Sequence, residues 1–259
     1  MNAARSSRRA GAGHFSLLPL ALLLALAGCG LPGRPERIPS GAKAWEIPPA
    51  ALDSQRLYRI GYQGPEGKLA FRLTLYLMAA SHFRMDAADG VGRRIFSLEL
   101  APPPAVAGSA LPAAPAALFL DHREKQYCRL AASGLPADLP LANLPLDALP
   151  RLLLGVMPAQ PAVELAQDAA GKLSYLDAAG QKWSGQVGAD GLLQWWTLAE
   201  GGEAVAWWQR QPSETIYSDR KAGLQVRLQE QVVERLASRP APLEIPPGYA
   251  EIVCLRPPR

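Results

Sequence analysis

Lys68-Leu69-Ala70-Phe71-Arg72-Leu73-Thr74-Leu75-Tyr76-Leu77 alternates without a break: every odd position is a large apolar residue, and the even positions include Arg72, Thr74 and Tyr76. A period of two puts successive side chains on opposite faces of an extended chain, so this stretch predicts a β-strand with one buried face. The rhythm recurs at Phe96, Leu98 and Leu100 against Ser97 and Glu99, and at Leu224, Val226 and Leu228 against Gln225, Arg227 and Gln229. Further strands are predicted at residues 57–62, 82–86, 118–121, 126–130, 172–176, 182–187, 192–198, 205–210 and 214–218. Gly64-Pro65, Asp89-Gly90, Ala179-Gly180, Asp190-Gly191 and Gly201-Gly202 separate them as turns. The expectation is one long antiparallel meander.

A two-residue loop at Gly201-Gly202 fixes a register. With Glu200 opposite Glu203, Trp196 falls opposite Trp207 and Trp195 opposite Trp208, one aromatic pair on each face of the sheet. One helix interrupts the strands. Asp147 serves as N-cap, Pro150 falls in the first turn, Leu149, Leu152 and Leu153 form an apolar stripe, and Gly155 and Pro158 supply the stop. Such a helix lies across one face of the sheet. Residues 161–169 carry a weaker helical signal, and the uncharged, proline-rich residues 102–115 read as a loop.

At the N-terminus, Arg5, Arg8 and Arg9 precede the apolar run Leu17-Leu18-Pro19-Leu20-Ala21-Leu22-Leu23-Leu24, which ends at Leu26-Ala27-Gly28-Cys29. This is the pattern of a cleavable leader of the bacterial lipoprotein type, and the run is shorter than the ~20 residues a membrane-spanning helix needs. Residues 1–28 are the predicted signal peptide, and residues 29–51 the predicted acylated cysteine and flexible tether, since residues 30–40 hold three prolines. Residues 52–259 are one predicted domain. The formal charge of +4 includes Arg5, Arg8 and Arg9 and no acid from the leader, so its loss leaves +1. A nearly neutral remainder carries no footprint for nucleic acid.

No G-x-S-x-G elbow, H-E-x-x-H pair, Walker loop or CxxC motif occurs, and no catalytic residue or metal ligand set is predicted. His82 and His122 are not at a ligand spacing, and Asp121-His122-Arg123-Glu124 reads as a solvated turn. Cys128 and Cys254 remain, either bridged in an oxidising envelope or two small buried hydrophobes.

The lipobox, the strands, the helix phrase Leu144-Pro145-Leu146-Asp147-Ala148-Leu149-Pro150-Arg151-Leu152-Leu153-Leu154-Gly155 and the closing strands together resemble the LolA/LolB lipoprotein-localisation family. The resemblance implies a mainly β (α+β) fold: a curved antiparallel half-barrel of about 10–11 strands with short helices in its concave face. It implies an apolar cavity for acyl chains, here lined by Leu69, Phe71, Leu73, Leu75, Phe96, Leu98, Leu149, Leu153, Leu224, Val226 and Leu228. It also implies a diacylglyceryl and an N-acyl chain (palmitate or similar) on Cys29 as the only covalent groups, with no other cofactor and no enzymatic activity. Gly30, rather than Asp, after the cysteine favours the periplasmic face of the outer membrane. The expected partners are acylated lipoproteins or lipid, a LolA-like periplasmic carrier and the membrane itself, with the protein a monomer. Val91, between Gly90 and Gly92, stands where that family presents a membrane-inserting residue. Pro102 opens an insert the family lacks, and Leu243-Glu244-Ile245-Pro246-Pro247-Gly248 is closer to the LolA branch. The same half-barrel could instead serve an envelope sensor or assembly lipoprotein that binds a protein segment.

Overall fold

The computed structural model describes residues 44–65, 67–102, 116–130, 146, 148–162 and 171–253. The predicted leader, Cys29, loop residues 103–115, the N-cap Asp147, residues 163–169 and Cys254 lie outside them. The strands are β1 (Ser54–Gly64), β2 (Gly67–Ala79), β3 (His82–Ala88), β4 (Arg94–Ala101), β5 (Ala116–Asp121) and β6 (Gln126–Leu130). The helix α1 (Ala148–Leu154) follows, then β7 (Lys172–Leu176), β8 (Lys182–Val187), β9 (Leu193–Glu200), β10 (Glu203–Arg210), β11 (Thr215–Asp219), β12 (Leu224–Arg235) and β13 (Ala250–Glu251).

The alternating residues 68–77 lie inside β2, where Leu73, Leu75 and Leu77 are 5%, 0% and 0% exposed. Burying each such side chain contributes about 1.5–3 kcal/mol. A one-residue slip would turn all of them outward, so the pairing of β2 with its neighbours is strongly specified.

All the strands form one open, curved sheet in the order β13-β6-β5-β4-β3-β2-β1-β12-β11-β10-β9-β8-β7. Every pairing is antiparallel except that of β13 with β6. The fold class is therefore the expected mainly β half-barrel, with thirteen strands. The single predicted meander is corrected to two, β1 to β6 and β7 to β12, which join where β1 pairs with β12. That junction aligns Ile60 with Leu228 and Tyr62 with Val226 across more than 160 residues of chain, a pairing that no local pattern announces. β6, next to β13, and β7 stand at opposite ends of that order, and α1 lies between them in the chain.

Two further segments complete the packing. Ala44 and Ala51 are 4% and 0% exposed, and Trp45, Ile47 and Leu52 pack against the core, so the end of the stretch expected to be a tether is part of the folded unit. After β12 the chain returns as a strap over the outer face of β3 to β6. Arg84 Nη1 donates to the Ala241 carbonyl (3.0 Å), Leu243 N–H donates to Glu99 Oε2 (2.6 Å), and Ile252 N–H donates to the Tyr127 carbonyl (2.8 Å). Beneath the strap, Ser97 and Leu120 are 0% and 1% exposed although they point away from the concave side.

The hairpin at Gly201-Gly202 has the expected loop: both glycines have positive φ (59° and 89°), the geometry of a type I′ turn, and Glu203 pairs with Glu200. The tryptophan register is corrected. A bulge between Ala204 and Ala206 shifts the ladder by one residue, so Trp208 pairs with Trp196, and Trp207 with Thr197. Each face still carries two tryptophans, Trp196 and Trp208 inside and Trp195 and Trp207 outside.

Candidate functional site

The residues predicted to line an apolar cavity occupy one side of the sheet or the helix upon it. Leu73, Leu75, Leu98, Val226 and Leu228 are at most 5% exposed, Leu149 of α1 is 2% exposed, and Leu224 and Phe71 are 7% and 8% exposed. Phe96 and Leu153 are partly buried against this core. Leu69 is 37% exposed. Phe71, Phe96 and Phe119 form a row of rings with centroids 6.2 and 5.9 Å apart. The apolar concave face thus reaches solvent near the β1–β2 hairpin, where Leu69 lies opposite half-buried Tyr62.

Over β7 to β11 the same face is aromatic and covered. The rings of Trp183, Trp196 and Tyr217 form a tilted row with centroids 5.3 and 5.9 Å apart. The chain leaving α1 turns at Gly155, whose φ of +69° suits glycine; a Cβ there would come within 2.9 Å of both Arg210 Nη2 and Trp208 Cζ2. Met157 N–H donates to the Ala44 carbonyl (2.9 Å), and the Tyr175 hydroxyl donates to the Ala159 carbonyl (2.7 Å). Arg210 reaches into this region with its guanidinium carbon 5.8 Å from the centre of the Trp208 ring. Burial lowers its pKa, and the charges of Asp190 and Glu230 oppose that shift.

A polar cluster marks the edge of the covered region. Arg56, 5% exposed, donates from Nη1 to Glu230 Oε1 (3.0 Å) and from Nε to Ser54 Oγ (3.3 Å). The Tyr58 hydroxyl lies 3.2 Å from Glu230 Oε1 and 3.3 Å from the Leu153 carbonyl, joining β1 to α1. Burial and the Glu230 carboxylate push the Tyr58 pKa up, so its proton stays available for donation.

Arg151 of α1 and Arg210 of β10 leave no mark in the apolar periodicity; their trace in the sequence is a cation close to apolar residues, in Pro150-Arg151-Leu152 and Trp207-Trp208-Gln209-Arg210.

Val91 is 80% exposed at the tip of the β3–β4 loop. Asp89 holds that loop by accepting the N–H of Val91 (3.0 Å) and of Arg93 (2.9 Å). Cys128, 0% exposed, is disulfide-bonded.

His122 does not sit in a purely solvated turn. Its Nε2 is 2.9 Å from Ser97 Oγ and its Nδ1 2.7 Å from the Tyr249 hydroxyl, while Ser97 donates to Asp86 (2.6 Å). Asp86 therefore touches the serine and not the imidazole, and Ser97 is 0% exposed. The chain of bonds fastens the strap and lacks the nucleophile–base–orienter order of a catalytic triad. Among the described residues no group of His, Cys, Asp and Glu could hold a metal ion, and no helix is long and apolar enough to cross a membrane.

Among the described residues, shallow grooves lie on the outer face. One, of ≈ 540 Å³, runs along Trp195, Thr197, Trp207, Gln209 and Arg220, and one of ≈ 450 Å³ lies over Gly61, Ala70 and Arg227.

No family model matches the sequence, and no curated protein matches it. Among solved structures the chain is similar to a DUF1329 family protein from Desulfovibrio piger, at 9% identity over 74% of this chain and 89% of that one, TM-score 0.47. It is similar to a LolA superfamily protein from Nitrosomonas europaea, at 12% identity over 73% and 88%, TM-score 0.45. A domain from Vibrio parahaemolyticus named for outer-membrane lipoprotein sorting gives 8% identity over 76% and 89%, TM-score 0.44. At these identities, what the protein does has to be read from its own residues.

Proposed function

We propose that the protein is an outer-membrane-anchored lipoprotein that shelters acyl chains against the concave face of its half-barrel and assists their delivery to the membrane. The observation that carries this reading is an apolar face that is only partly covered: Leu73, Leu75 and Leu98 are buried, while the same row emerges at Leu69 and Phe96. A hydrocarbon tail laid along Leu69, Phe71 and Phe96 would extend the core and remove that surface from water. Transfer then needs no covalent chemistry, only an occupied state that is favourable and yet weaker than the bilayer.

In this proposal Cys29 carries the diacylglyceryl and N-acyl anchor, and two or more chains make the attachment stable. Cargo, an acylated lipoprotein or a lipid, arrives from a LolA-like periplasmic carrier, and the receptor acts as a LolB-like monomer. Val91, exposed on a loop that Asp89 stiffens, touches the membrane during delivery. Cys254 is the partner of Cys128; in support, β13 runs parallel beside β6 with Glu251 opposite Tyr127.

The purified protein should bind a fluorescent fatty acid and an acylated peptide, and mass spectrometry of its native form should find lipid. Absence of binding to both probes overturns the reading. Palmitate labelling should vanish in Cys29→Ser, and a non-reducing peptide map should contain the Cys128–Cys254 pair. The alternative, a sensor or assembly lipoprotein binding a protein segment, would draw on the Trp195 and Trp207 groove. Co-purification of one stable protein partner without lipid would decide for it.

A further inference from the structure

Among the described residues four buried donors on the concave sheet face and α1 have no acceptor: Nε1 of Trp196, Nε1 of Trp208, Nη1 of Arg210 and Nε of Arg151. The fold sets three of them side by side. Trp196 and Trp208 are cross-strand partners, 0% and 1% exposed. Arg210 follows Trp208 by two residues on the same face and lies against its ring. Gly155 abuts both Arg210 and Trp208, and Arg151, whose charge acts on Tyr175, stands on α1 one helical turn before that glycine.

The chemistry of the set is one-sided. Every orphaned atom donates, none accepts, and two belong to guanidinium groups that stay charged. The two acids whose charges act on Arg210 hold other partners: Glu230 accepts from Arg56 and Tyr58, and Asp190 accepts from Leu192 N–H and Gln194. Native interiors rarely leave buried donors unmet, and a set of four asks for one acceptor-rich group. An anion with two or three oxygens can take bonds from a guanidinium edge and from indole N–H groups together, and bonds to a charged acceptor are the strong ones.

We propose that Trp196, Trp208, Arg210 and Arg151 form a head-group site that binds the carboxylate or phosphate of an anionic lipid, with the lipid's tail along the apolar concave face. This rests on the acyl-chain reading above and narrows it. An acylated N-terminal cysteine has no such anion, so the preferred cargo is a lipid with a charged head and not a lipoprotein anchor. Gly155 matters here because its missing side chain leaves Arg210 and Trp208 in contact with the turn.

The test compares three ligands with the same sixteen-carbon tail, displacing a neutral fluorescent probe from the purified protein: palmitic acid, palmitoyl lysophosphatidic acid and monopalmitin. At least one anion should bind about tenfold or more tightly than neutral monopalmitin, and the stronger of the two identifies carboxylate or phosphate as the natural head. Arg210→Gln should bring the anions to the monopalmitin level while leaving monopalmitin unchanged. Trp208→Phe keeps an aromatic ring while removing the indole N–H, and should weaken only the anions, by a few fold. Equal binding of all three ligands overturns the head-group site and leaves the trough standing. Uniform loss in both variants also overturns it, and failure of every ligand to bind overturns the trough reading with it.

Discussion

The two halves of the sheet treat their outer faces oppositely. Over β3 to β6 the C-terminal strap turns the outside into a second thin core, with Leu120 and Ser97 buried and His122, Tyr249, Glu99 and Leu243 joined by hydrogen bonds. Over β8 to β10 the outside stays open, and Trp195 and Trp207 are half-buried beside Arg220. The inner faces are reversed in character. The first half ends in a phenylalanine row that reaches solvent at Leu69, and the second is sealed by α1 and residues 44–52 over tryptophans and a cation. Stability in the first half therefore depends on a covering segment, and in the second on the packing of large rings.

The sharpest challenge to that contrast is Trp196→Ala, which removes the largest fully buried ring of the second half. It should cost about 3–5 kcal/mol in urea unfolding, enough to unfold much of the population. A cost below 1 kcal/mol would mean that the rings are not the core of this half. Leu120→Ala should cost about 2–4 kcal/mol, because the strap makes its outer-face position a buried one. Thr197→Ala, outward-facing in the open half, should stay within about 0.5 kcal/mol. Equal costs at the two positions would erase the distinction between strapped and open faces.

Gly155→Ala should cost about 1–2 kcal/mol for the left-handed backbone alone, with further loss from the approach to Arg210 and Trp208. Thermal unfolding would read it, and an unchanged Tm would show that the turn relaxes freely. The smallest effect belongs to the strap. Burial, followed by the charge of Arg94, lowers the His122 pKa below 6.5, so the folded protein binds fewer protons there than the unfolded chain. Its contribution is complete above pH 6.5 and is lost as pH falls from 6.5 toward the lowered folded value. Urea midpoints measured across that window should fall with pH, and His122→Gln should flatten the fall. A slope unchanged by that substitution would remove His122 from the account.

Alternation alone identified the inner-facing residues of β2, β4 and β12, because the period of a strand is written in neighbouring side chains. The same local chemistry marked the glycine turn at Gly201-Gly202 and the helix around Leu149 and Leu152. The tryptophan pairing failed at one point, since a single bulged residue near Val205 moves a ladder without changing the composition around it. The unmet donors were invisible for a related reason: Arg151 and Arg210 look like ordinary surface cations until the fold sets α1 and the turn at Gly155 against β10.

What the sequence determined by itself is where most of the strands lie, which face of β2, β4 and β12 is apolar, and where the turns fall, all consequences of interactions within a few residues. Only the tertiary structure decided that β1 meets β12, that the segment after β12 fastens to the outer face of β3 and β4, and that four donors are buried without a partner. Those features are set by contacts between segments far apart in the chain, where the free energy of burial depends on what arrives from elsewhere and not on the pattern of the residues buried.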